Sequence, residues 1–261
     1  MSRRRRRSFD FRRYGTLQGW WDPSDSATRT IATGVSQLND KSGNARNFTQ
    51  ATESKQPTVV SAGQNGRDTL KITAGTSQNL FVFNSYSAFN FLHNGKEGRT
   101  FQVLKHGESS NPESFVFGFH NNGSSSGEIG TAFYLDDRVA VGNQVLRIMG
   151  TCGVSTTFTL QLNPANAYTP NQYNLFSIFV DANTSRSNRA LASVNGVLNA
   201  ARNTETGTSS PSNATRNLTL GFNGATTGTA FYGDLLIYSA LGASYSESFI
   251  NSLLRQKWGT Y

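Results

Sequence analysis

The chain has 261 residues, of which 15% are charged and 11% aromatic, 18 of the rings being phenylalanine, with a net charge of +8. That length suffices for one sizeable core, and scarce charge with abundant Gly, Ser, Thr and Asn argues for many short strands, not helical bundles. No run reaches the roughly 18 apolar residues that span a bilayer, and the one cysteine, Cys152, excludes an intrachain disulfide framework and reads as a small buried strand residue.

The charge is unevenly placed. Residues 1–13 hold seven arginines (Arg3, Arg4, Arg5, Arg6, Arg7, Arg12 and Arg13) against one acid, Asp10, while the rest carries 17 basic and 15 acidic groups. The basicity therefore belongs to an arm over residues 1–16, and residues 17–261 form one nearly neutral domain. The start resembles the first segment of a signal peptide, but Ser8 to Thr16 supplies no apolar run to follow it. The chain is therefore expected to be made and assembled inside a cell, with no signal peptide and no membrane insertion.

After the arm, Leu17–Trp21 reads as a strand stopped by Asp22-Pro23, and Asp40-Lys41-Ser42-Gly43-Asn44 as a tight loop with glycine at positive φ. Strands follow at Pro57–Val60, Thr69–Thr73 and Asn79–Phe83. Thr100–His106 has the clearest period of two, with Phe101, Val103 and Lys105 on one face and Gln102, Leu104 and His106 on the other. Glu113–Asn121 alternates again and places Phe115, Phe117 and Phe119 together. Further strands are expected at Thr131–Asp136, Leu146–Gly150, Thr157–Leu162, Leu175–Asp181, Ala190–Val194, Leu218–Phe222 and Thr229–Tyr238. Asn-Gly pairs at 65–66, 94–95, 122–123, 195–196 and 223–224 signal two-residue turns. Long parallel crossovers are absent, so the sheets should be antiparallel. One helix is expected at Ser244–Trp258, with a capping box from Ser244 and Glu247 and a stripe of Tyr245, Phe249, Leu253, Leu254 and Trp258 ended by Gly259.

Several segments resemble, in order, a laminin-G-like, concanavalin A-like jelly-roll domain. They are Trp20-Trp21-Asp22, the loop Asp40 to Asn44, Gln56-Pro57-Thr58, Phe91-Leu92-His93-Asn94-Gly95, Val194-Asn195-Gly196, Phe231-Tyr232-Gly233-Asp234-Leu235-Leu236-Ile237-Tyr238 and Lys257-Trp258-Gly259. The resemblance covers residues 17 to 261 and implies an all-β fold: a two-sheet antiparallel jelly-roll sandwich with one C-terminal helix. For activity it is less specific, because that superfamily includes lectins, glycanases, adhesion modules and virion proteins, phage particles among them.

Catalytic chemistry is not expected. A retaining glycosidase needs two carboxylates about 5 Å apart, whereas Glu108 and Glu113 flank a loop, Glu128 is isolated, and Asp136-Asp137 would face opposite ways on a strand. His93, His106 and His120 lie on separate segments without metal-ligand spacing and are expected in turns or at the surface. No cofactor is implied; a Ca²⁺ site at a sandwich rim would draw on Asp136, Asp137 or Asp181. A shallow sugar site would draw on Asn121, Asn122, Tyr134, Asp136 and Asn143.

The arm is the sharpest feature. Guanidinium groups suit phosphates through forked hydrogen bonds, and seven of them on a nucleic acid would give a salt slope of roughly −5 to −6. Extended, the arm reaches about 45 Å. The alternative is docking in an acidic groove of a neighbouring protein, with Phe9, Phe11 and Tyr14 as anchors. An arm followed by one jelly roll has the layout of basic-armed viral coat proteins. The expectation is a virion structural protein (coat, decoration or fibre subunit) whose partners are copies of itself, other virion proteins and nucleic acid. A lectin-like module that attaches to host glycans is the alternative.

Overall fold

The structure, a computed structural model, describes residues 9–73, 75–94, 97–106, 113–119, 129–136, 145–152, 157–162, 169, 171–181, 190–199, 201–203, 211–221 and 229–260. Two antiparallel sheets face one another as a jelly-roll sandwich. With strands numbered in chain order, the first sheet runs β15 (Val197–Asn199), β14 (Ala190–Val194), β13 (Tyr173–Val180), β8 (Gly98–His106), β18 (Ala230–Leu241), β6 (Arg67–Ile72) and β5 (Thr58–Gln64). Strand β1 (Gly15–Trp21) pairs with the far half of the long β18. The second sheet runs β16 (Ala201–Asn203), β12 (Thr157–Leu162), β11 (Val145–Cys152), β10 (Ile129–Asp136), β9 (Glu113–Gly118), β17 (Thr219–Gly221), β7 (Asn79–Val82), β4 (Phe48–Thr49), β3 (Val35–Leu38) and β2 (Arg29–Ile31).

Every expected strand has a counterpart. Those that the sequence pattern does not signal are β2, β3, β4, β15 and β16, all of two to four residues. Two Asn-Gly pairs lie among the described residues, and both turn as expected: Asn65 and Gly66 have φ of 49° and 65°, Asn195 and Gly196 of 53° and 81°. Both residues at positive φ are what a two-residue hairpin requires, because that backbone twist matches the flanking strands.

Two apolar layers result. Between the sheets lie Leu104, Phe117, Phe119, Phe133, Leu135, Phe176, Ile178 and Leu235, with Phe117 and Phe133 stacked at 4.2 Å. The second layer covers the outer face of the first sheet, where Phe101, Val103, Leu175, Leu236 and Tyr238 meet Ile250, Leu254 and Trp258 of the helix. Strand β8 is thus buried on both faces, and its alternation sorts residues between two cores.

That helix, α2, spans Glu247–Trp258 and follows the short α1 (Phe91–Asn94). It starts later than expected. Ser246, not Ser244, is the cap, its hydroxyl accepting from Phe249 N at 3.3 Å, because the preceding residues form a turn closed by Tyr245 N donating to Gly242 O. The buried face is also displaced from the expected stripe: Tyr245 and Phe249 are 37% and 39% exposed, while Ile250, Asn251, Leu254, Lys257 and Trp258 are buried. Asn251 accepts from Ser177 Oγ at 2.5 Å, and Lys257 joins two carboxylates. Polar residues with partners on the sheet set the helix's rotation.

Candidate functional site

Of the sequence-predicted site residues, few lie among those the structure describes. Arg3 to Arg7, Asn121, Asn122 and Asn143 lie outside the described residues, and so do the side chain of Asp136 and the acids Glu108, Glu128 and Asp137. Tyr134 is corrected: it alternates with the core residues Phe133 and Leu135 yet is only 2% exposed, so its ring is no sugar platform. His93 and His106 are likewise buried, not in surface turns; His93 Nε2 lies 2.9 Å from Ser212 O. Among the described residues, no group of three or more His, Cys, Asp and Glu is placed to hold a metal, and no helix is long and apolar enough to cross a membrane.

The arm anchors are also corrected. Phe11 is fully buried, edge-on to Trp20 at 5.2 Å and stacked with Phe9 at 6.3 Å. Phe11–Tyr14 forms a 3-10 turn capped by Asp10, and Tyr238 Oη donates to Phe11 O at 2.8 Å. The side-chain hydrogen bond from Arg12 holds the Asp10 carboxyl below its ordinary range. Phe9, Phe11 and Tyr14 therefore pack on their own domain instead of waiting for a partner, because three rings in six residues find an apolar seat beside β1 and α2. Arg12 and Arg13 stay exposed.

Behind that seat lies a buried ionic cluster. Lys257 Nζ sits 2.7 Å from both Asp22 Oδ2 and Asp234 Oδ2, and all three side chains are at most 6% exposed. Asp234 also accepts from Trp20 Nε1 at 3.0 Å and Trp258 Nε1 at 2.7 Å. Lys41 bridges Asp22 and Asp25 and stands 4.6 Å over the Trp20 ring. A register shift of β18 between Tyr232 and Leu235 sets Asp234 in place. Gly233 beside it is required, since a Cβ there would meet Val103 at 2.9 Å and the Trp258 indole at 3.0 Å.

Burial raises the cost of charge on Asp22, but Lys257, Ser24 and Lys41 outweigh it and hold its carboxyl down at about 2. Burial and the Asp22 charge push Asp234 up, against Lys257 and Trp258. The two act oppositely on stability. The lowered Asp22 stabilises the fold above its ordinary value, and that contribution is lost as pH falls through about 2; the raised Asp234 favours the fold in its protonated form, at the acid side. Urea titrations between about pH 5 and about pH 2 should show an Asp22-dependent loss of about 2 kcal/mol, partly offset by Asp234. Asp22→Asn should flatten the profile; an unchanged profile in that variant would contradict the assignment.

The open site is elsewhere, at one end of the first sheet. A cleft of about 500 Å³ is lined by Gly63, Gln64, Lys105, Thr169, Asn171, Gln172, Tyr173, Asn195, Gly259 and Thr260. The elements that build it are well fixed. Asn195 Nδ2 donates to Asn174 Oδ1 and its Oδ1 accepts from Leu175 N; Gln64 Nε2 donates to Trp258 O; Tyr173 Oη donates to Thr69 Oγ1. Thr169, Asn171 and Gln172 are exposed at the rim. Among the described residues, Lys105 is the one charged residue of the lining, and its Nζ stands 4.6 Å from the Phe231 centroid and 5.7 Å from that of Tyr173. Amides, hydroxyls, a cation and a tyrosine on a rigid wall equip the cleft to hydrogen-bond a polar ligand. None of these residues stands out in the sequence, because strand register and the return of the helix bring them together.

Sequence comparison finds no matching family model and no matching curated protein. Solved structures do share the fold. The receptor-binding domain of botulinum neurotoxin D superposes with a TM-score of 0.61 at 11% identity, over 93% of this chain and 53% of that one. A complex of the serotype D ligand-binding domain with N-acetylneuraminic acid gives 0.60 at 11% identity, over 93% of this chain and 51% of that one. Domain 4 of a GH43 extracellular arabinanase from Geobacillus stearothermophilus, in complex with arabinotriose, gives 0.54 at 14% identity, over 92% and 98% of the two chains. This chain spans about half the length of the neurotoxin structures. The likeness establishes the fold, a two-sheet β-sandwich.

Proposed function

We propose that this protein is a non-catalytic carbohydrate-binding module whose ligand occupies the cleft beside Lys105, Tyr173 and Asn195. The observation that supports it is the cleft's make-up: amide and hydroxyl side chains gathered at one end of a paired sheet, next to the Tyr173 ring. Sugars are bound by that combination of planar polar groups and aromatic carbon. The sandwich domains it resembles include structures with N-acetylneuraminic acid and arabinotriose bound. A glycan array with the full chain should give saccharide signals that Gln172→Ala and Asn171→Ala weaken by about tenfold; a blank array, or signals indifferent to both substitutions, counts against the reading.

The arginine leader supports a second reading, a virion coat, decoration or fibre subunit tethered through residues 3–7 to nucleic acid or a neighbouring protein. Phe9, Phe11 and Tyr14, between which Arg12 and Arg13 stay exposed, pack on the body, so the leader joins it at a fixed point. The two readings are compatible in a surface-exposed virion protein, and the structural likenesses favour the first. Deleting residues 2–7 should abolish retention on nucleic acid, or incorporation into a particle, without changing the array.

A further inference from the structure

The outer face of the first sheet carries a cross-strand row of alternating character. Register places Lys71 on β6 beside Phe231 on β18, Phe231 beside Lys105 on β8, and Lys105 beside Tyr173 on β13. The contacts follow: Lys71 Nζ is 5.8 Å and Lys105 Nζ 4.6 Å from the Phe231 centroid, and Lys105 is 5.7 Å from that of Tyr173. Among the described residues, neither lysine has a carboxylate within ion-pair distance, and no acid lines the cleft. This differs from the protein's other lysine cluster, where Lys41 and Lys257 are neutralised by Asp22, Asp25 and Asp234.

We propose that the cleft, together with the row of Lys71 and Phe231 that continues from Lys105 on the same sheet face, selects an anionic polysaccharide, whose acidic groups are bound by Lys71 and Lys105 across the ring of Phe231. The inference rests on the carbohydrate-binding reading and adds the ligand's charge. Rings beside the ammonium groups steady them without cancelling their charge, as a paired carboxylate would. Lys71 and Lys105 sit two strands apart, so their backbones are separated by about 9–10 Å. That distance is too great for one small anion to satisfy both, and it suits acidic groups carried on neighbouring sugars. Phe231 between them offers apolar surface to the sugar carbons, and Gln172 and Asn171 at the rim take hydroxyls.

The test is calorimetric titration of the full chain with three length-matched probes: oligogalacturonate, a heparin-derived oligosaccharide and a neutral dextran oligosaccharide. Both acidic probes, or one of them, should bind at least about tenfold more tightly than dextran, the preferred one showing whether the site reads carboxylate or sulfate. Lys105→Gln should weaken acidic binding by about tenfold, Lys71→Gln by less, and Lys105→Arg should keep most of it. Since the leader also attracts polyanions, the titrations are repeated with Arg3 to Arg7 replaced by serine, where the dependence on Lys105 should persist. Dextran binding as tightly as the acidic probes, indifferent to both lysines, would overturn the anionic inference and leave the carbohydrate reading standing. No saccharide binding would remove both. Acidic binding that vanishes with the leader substitution alone, or an oligonucleotide preferred in a Lys105-dependent manner, would also overturn it.

Discussion

Lys257→Met is expected to destabilise the protein by about 3–5 kcal/mol, a large part of a typical domain's total stability. Lys257 is 3% exposed and lies 2.7 Å from two carboxylates that are themselves buried. Removing the ammonium leaves Asp22 and Asp234 facing each other with no cation between them; Lys41 at 3.3 Å reaches Asp22 alone. Two like charges in a poorly solvated space cannot both remain ionised. Asp234 must take a proton or the end of α2 must lift, freeing the indoles of Trp20 and Trp258. Urea and thermal denaturation measure the loss directly. A second variant locates its cause. Asp234→Asn on the Lys257→Met background removes the repulsion, so the double variant should recover part of the stability. No recovery would mean that the cost comes from packing of the lysine stem.

This cluster also shows what the sequence motifs encode. Of the segments that resemble concanavalin A-like domains, Trp20, Asp22, Lys41, Asp234, Lys257 and Trp258 converge on one buried network. They lock the C-terminal helix to the first and last strands. Their recurrence in such domains would report the fold, and no ligand need be involved.

Strands were legible wherever alternation ran for five residues or more, as in Thr100–His106, and turns wherever Asn-Gly put two residues at positive φ. Strands of two to four residues, such as Phe48–Thr49, carry too few alternations to show a period. The helix was legible, but its rotation was not, because Lys257 and Asn251 are buried by partners 235 and 74 residues away. Tyr134 shows a related limit: alternation identifies two faces of a strand without saying that both are covered. The cleft was not legible at all. Its cation is on β8 and its ring on β13, the adjoining Lys71 and Phe231 are on β6 and β18, and single lysines beside aromatic residues have no meaning until register aligns them. The arginine run points the other way: its charge assigns Phe9, Phe11 and Tyr14 to an arm as partner anchors, whereas Phe11 is buried in the second apolar layer and Phe9 and Tyr14 pack against it.

Those rings supply the second large effect. Phe11→Ala should cost about 3–5 kcal/mol, the range for a fully buried phenylalanine whose removal leaves a cavity. The site has little means of collapsing, because Phe11 is held on one side by Trp20 of β1 and on the other by the stacked Phe9, with Tyr14 edge-on at 6.3 Å. Trp20 is itself fixed by its bond to Asp234, so it cannot swing into the gap. The substitution also bears on function. With Phe11 gone, the 3-10 turn loses its apolar anchor, and the bond from Tyr238 Oη to Phe11 O remains as its principal tie to the body. Limited trypsin digestion should then cut at Arg12 and Arg13 well before the domain unfolds, while the unaltered protein is protected at these positions. Arg12→Ala, which removes an exposed guanidinium and its pairing with Asp10, should leave stability nearly unchanged. Equal stability of Phe11→Ala and the unaltered protein, with equal protection from trypsin, would show that the aromatic segment is not seated in solution, and the folded body would then begin at Gly15 and not at Phe9.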